Sequence, residues 1–172
     1  SAMIEKLAEE VNRRLESNDH AASPIFVIIY NLARFRDLKK GDDFSFSDDD
    51  SGNAAKSLGT ILREGPPQGI HTLIWCDSYN NVTRWLDRQA LRDFDGRVLF
   101  QMNASDSSNL VDSSAAGKLG ALMALAFSEE QGLAEKFRPY GLPTDEWCAW
   151  IAARFVARGA TASKDNAPVS LS

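Results

Sequence analysis

Residues 25–31, IFVIIYN, set five apolar side chains in succession before ending in Tyr30 and Asn31. A strand with one solvated face alternates apolar and polar residues, whereas an unbroken apolar run is the pattern of a strand covered on both faces. The run therefore predicts a buried strand in a parallel sheet. It follows the punctuation of Ser23-Pro24 and is far too short to span a bilayer. A second run of the same kind, GIHTLIWC at 69–76, is bounded by Gly69 and by Asp77-Ser78. A third, RVLFQ at 97–101, follows the turn Asp95-Gly96.

Helical patterns separate these strands. Ile4, Leu7, Ala8, Val11 and Leu15 recur at helical spacing from Ile4 to Ser17, with Glu and Arg between them. A second helix is expected over Asn53–Glu64, stopped by Gly65-Pro66-Pro67, and a third over Val82–Phe94. One or two short helices fall within Asp106–Leu119. Residues 121–127 and 133–138 flank a turn at 129–132 and predict a hairpin. A last helix opens at Pro143-Thr144-Asp145-Glu146 and runs through Arg158, with Trp147, Trp150 and Ile151 expected to dock it on the sheet. Alternating strands and helices imply an α/β fold with a mostly parallel sheet, helices on both faces and a C-terminal hairpin. The expected organisation is an N-terminal helix over 1–19, an α/β domain over 20–158 and a disordered tail over 159–172. Ligands of parallel α/β sheets sit at the carboxyl ends of the strands, which directs attention to Tyr30-Asn31, Cys76-Asp77 and residues 101–103.

Composition narrows the function classes. At 172 residues and 44% hydrophobic content the chain can bury one core. A net charge of -5 and a pI near 5.0 argue against coating nucleic acid by bulk attraction. Cys76 and Cys148 lie far apart with only His20 and His71 as further soft ligands, so neither a disulfide framework nor a metal site is indicated, and a reducing, cytoplasmic setting is expected. No apolar run reaches the 18 or so residues of a span, so no membrane contact is expected of this segment, although a parent protein could be anchored elsewhere. Ser1-Ala2-Met3 reads as a tag-cleavage scar, which makes the chain a piece of something larger.

The strings IFVIIYNLARF, GIHTLIWCDS, RVLFQMNASDSSNLVD, GKLG and EKFRPYGLP occur in this order over 24–143. Together they resemble the C-terminal half of the motor domain of FtsK/SpoIIIE-type DNA translocases, in the HerA-FtsK superfamily. The resemblance implies a RecA-like P-loop NTPase partial domain. By that comparison Tyr30 and Asn31 stand where the family has its Walker B acids, the Asp linked to Mg²⁺ and the catalytic Glu. Asp77 stands where the family has a Gln that senses the γ-phosphate, and Ser108 where it has Arg. Gly69, Ile70, His71, Phe100, Gln101, Asp106 and Asp112 match, mainly as framework. An aromatic ring cannot polarise a metal-bound water and an amide cannot take its proton, so the Walker B and sensor positions are degenerate. No G-x-x-x-x-G-K-[ST] loop is present, because DSSAAGKL at 112–119 has Asp112 for the first Gly and Leu119 for the hydroxyl residue. ATP and Mg²⁺ would then belong to the parent protein, and no cofactor is expected for this chain alone.

Weaker candidates remain. Asp77 and Gln101 are the positions at which a nucleotide could still be contacted, and Asp77 with Asp37 could attract a cation, though a lone carboxylate at a strand end is commonly a turn or cap residue. Arg84, Arg88 and Arg92, at four-residue spacing, would line one helix face and suit DNA or an acidic partner, unless Asp87 and Asp93 make it a solvated face. His71 reads as a packed strand histidine. The acidic stretch 42–50 lacks the EF-hand pattern and reads as a solvated loop. Two readings follow: a non-catalytic structural or interaction module of an ATP-driven DNA translocase, or the nucleotide-site half of an active motor or secretion ATPase whose phosphate loop lies upstream. The partners implied are the remainder of the parent protein, DNA through that parent, and a homo-oligomeric ring.

Overall fold

The structure, a computed structural model, describes residues 2–17, 22–39 and 51–157. The acidic stretch 42–50 and the tail from Gly159 lie outside the described residues.

Helix α1, Ala2–Ser17, buries Ile4, Ala8, Val11 and Arg14, a single stripe at three- and four-residue spacing. It lies against α2, Ser51–Glu64, whose Ala54, Leu58, Ile61 and Leu62 share its core. Arg14 is a charge inside this stripe, only 4% exposed, and each of its three guanidinium nitrogens donates a hydrogen bond. It donates to Glu10 at 2.7 Å, to the Gln68 carbonyl at 2.9 Å and to the Ser23 carbonyl at 3.0 Å. One side chain thus ties α1 to the segments that lead into both parallel strands. Helix α2 stops as expected. Gly65 accepts from Gln68 and Ile70 through its carbonyl, and a Cβ there would fall on the backbone oxygens of Ile61 and Ile70.

Strands β1, Ile25–Tyr30, and β2, Ile70–Trp75, pair in parallel with Ile25 opposite Ile70 and Tyr30 opposite Trp75. Their inward positions include Val27, Ile29 and Ile70, all buried with Leu32, Leu38 and Leu86. Helices are expected on both faces of this pair; among the described residues up to Phe137, the core with α1 and α2 lies on one. Phe26, Ile28, Tyr30, His71, Leu73 and Trp75 point away from that core and are exposed. Burial therefore alternates along strands whose sequence does not.

The helix expected over 82–94 is two helices, α3 at Tyr79–Trp85 and α4 at Arg88–Arg92. Leu86 is extended, and the Asp87 carboxylate accepts from the Ala90 N–H at 2.8 Å, so a fresh N-cap interrupts the pattern. Strand β3, Gly96–Leu99, belongs to a second, antiparallel sheet with β4, Ala124–Ser128, and β5, Leu133–Phe137. Parallel pairing is thus confined to β1–β2 among the described residues. Leu99 and Leu125 face each other in register and share a core with Val111, Ala116 and Leu119, contributed by α5, Ala104–Val111, and the turn after it. This layer closes locally, and the hairpin falls where the turn residues predicted it.

Residues up to Phe137 form one compact unit and those from Arg138 a second. The second contains α6, Asp145–Ala157, capped by Thr144 and carrying Arg154 over the Trp150 ring at 4.1 Å. Trp147 and Trp150 both lie on this helix. Apolar residues surround this helix on nearly every side, so it lacks the single stripe that would select one buried face.

Candidate functional site

The carboxyl ends of β1 and β2 meet because their parallel register sets Tyr30 beside Trp75. The two rings stack with centroids 4.8 Å apart and planes at 16°. Next in the chain, Asn31 adopts the left-handed conformation, φ 60° and ψ 73°, and its carbonyl accepts from the Arg34 N–H at 2.9 Å. Asn and Asp enter that region at lower cost than other non-glycine residues, so the chain can turn sharply into the segment 32–34. The Asn31 Oδ1 atom is buried with no hydrogen-bond partner.

Across the strand end, Asp77 opens α3. Its carboxylate accepts from the Asn81 side chain at 2.8 Å and from the Ser78 hydroxyl at 3.3 Å, and these bonds hold it below the usual carboxylate range. Ser78 accepts from the Asn81 N–H as the helix cap. Partial burial pushes the Cys76 thiol up, and the neighbouring Asp77 charge adds to the rise. On the far side of the turn the Trp85 indole donates to the Phe35 carbonyl at 2.8 Å, fastening α3 over the segment that leaves β1.

The strand ends therefore offer a phenol stacked on an indole, one amide and one exposed carboxylate already engaged with its own helix entry. These groups do not fit a magnesium–nucleotide site, which needs carboxylates free to hold hydrated metal and orient water. Among the described residues, no three His, Cys, Asp or Glu side chains are grouped to hold a metal ion. Gln101 is exposed just beyond β3, a strand of the antiparallel sheet, so it is not at the carboxyl edge of the parallel pair.

The arginines divide differently from their spacing. Arg84 lies on α3, whereas Arg88 and Arg92 lie on α4, so the three do not form one helical stripe. Arg88 and Arg92 instead line a cavity of about 570 Å³ with Tyr79, Arg97, Ser108 and Asp112. Arg97, which spacing arguments did not single out, organises its wall. It donates to the Leu110 carbonyl at 2.7 Å and the Leu91 carbonyl at 2.8 Å, pairs with Glu129 at 2.7 Å and lies over the Phe127 ring. Two helix ends thereby find a cation for their last carbonyls. An arginine at the head of the apolar run RVLF was the only sequence signal of this role. Ser108, where the resemblance places an arginine, bonds back to the Ala104 carbonyl.

No family profile and no curated protein sequence matches this chain. Among solved structures it is similar to the pCW3 conjugation coupling protein TcpA in its monomer form with ATPγS, with a TM-score of 0.71 over 92% of this chain at 15% identity. The chain spans 48% of that protein's chain. The likeness is one of fold: a mixed α/β domain with a parallel pair and flanking helices, the partial RecA-like domain that the sequence predicted.

Proposed function

We propose that this chain is a non-catalytic segment of an FtsK/SpoIIIE-like, ATP-driven translocase, serving as a structural or interaction module of a larger protein. The observation that carries the reading is the end of β1. Where a motor of this type needs two carboxylates, the chain has a phenol stacked on Trp75 and an asparagine whose amide oxygen is buried without a partner. Neither group can accept a proton from water at neutral pH. Asp77 is committed to the first turn of α3. The implied partners are the remainder of the parent protein and, through it, DNA and a homo-oligomeric ring, in the cytoplasm. Phosphate release from magnesium–ATP by this chain, with or without DNA, is expected to stay at background. A steady rate that chelation of Mg²⁺ abolishes would overturn the proposal.

A second reading is favoured by one finding, the likeness to less than half of a protein determined with ATPγS. In it the chain is the nucleotide-site half of an active DNA-translocating motor, or of a related secretion ATPase, whose phosphate loop lies elsewhere in the parent. Photo-crosslinking of azido-ATP to the parent protein separates the two. Label within residues 25–112 supports the active motor, and label confined to other segments supports the inert module.

A further inference from the structure

We draw no further inference here: the strongest candidate, the cavity of about 570 Å³ lined from α3, α4 and α5, carries nothing because its Arg88, Arg92 and Arg97 are matched by as many carboxylates, Asp87, Asp112 and Glu129, and nothing in the structure selects the chemistry of an occupant.

Discussion

Asn31 shows how one residue can be legible in type and hidden in role. The sequence marks it as the wrong residue for chemistry; the structure gives it a conformational task, at φ 60° with Oδ1 buried and unpartnered. Glycine would keep the turn and remove the orphaned acceptor, so Asn31→Gly is expected to be neutral or mildly stabilising. Asn31→Ala should cost about 1 kcal/mol through left-handed strain. Asn31→Asp should cost about 1–3 kcal/mol, because the same site would then hold a carboxylate with nothing to bond it. Urea denaturation of the three variants checks the order, and an aspartate variant as stable as the parent chain would show that the pocket can take an acid. Leu122 is another positive-φ residue, an exposed leucine at φ 62° inside the turn closed by the Met123 N–H on the Gly120 carbonyl. Leu122→Gly is expected to stabilise the chain by up to about 1 kcal/mol in the same assay, since Leu122 is 72% exposed and the substitution removes more strain than packing. Neither positive φ is written in the local sequence as glycine would have written it.

At the scale of elements, the strands and most helices were readable because each is punctuated by its own residues: Pro24, Gly65-Pro66-Pro67, Asp77-Ser78, Thr144. The failures came where a short-range cap outweighed a long-range pattern. Apolar and arginine spacing runs smoothly through 82–94, yet Asp87 caps Ala90 and splits it. What holds α1 was equally hidden, since Arg14 reads as a solvated residue until Ser23 and Gln68 carbonyls are brought to it. Arg14→Ala is expected to destabilise the chain by about 3 kcal/mol, and Arg14→Lys to recover little, because one ammonium cannot reproduce a three-way guanidinium fork. Glu10 bridges Arg13 and Arg14, and hydrogen bonds to both draw its pKa from 4.5 down to about 2. A depressed carboxylate stabilises the fold above its unfolded pKa and loses that contribution as pH falls through the folded one. Stability from Glu10 is therefore complete above about pH 5 and fades between 4.5 and about 2. Solvent screening at Arg13 limits it to about 1 kcal/mol. Thermal melts of Glu10→Gln against the parent chain should differ at pH 6 and converge toward pH 2; a constant gap would place the effect in packing.

For the whole molecule, fold class was legible and layering was not. An unbroken apolar run states that both faces of a strand tolerate burial, but which face finds a partner depends on residues far away in sequence. Here Val27 and Ile29 share a core with residues of α1 and α2 while Ile28 and Tyr30 meet solvent. The same separation bears on nucleotide binding. The strand ends lack free carboxylates, whereas Arg88, Arg92 and Arg97 line a cavity against Asp87, Asp112 and Glu129, with Arg97 already committed to Glu129 and two carbonyls. Any affinity for phosphate-rich ligands should then follow charge alone and be indifferent to the base and to Mg²⁺. A nucleotide bound with a dissociation constant of about 10 µM would, at about 1 mM, stabilise the fold by about 2.7 kcal/mol. In a domain of this size that raises the melting temperature by roughly 5–10 °C. The expected outcome is a shift under about 1 °C with magnesium–ATP. Any shift seen in low salt should be matched by inorganic tripolyphosphate and vanish near 0.15 M salt, where exposed charges are screened beyond about 8 Å. A shift that requires Mg²⁺ and adenine and survives salt would mean that Tyr30, Asn31 and Asp77 accommodate a nucleotide despite their chemistry, and would move the weight of argument to the active-motor reading.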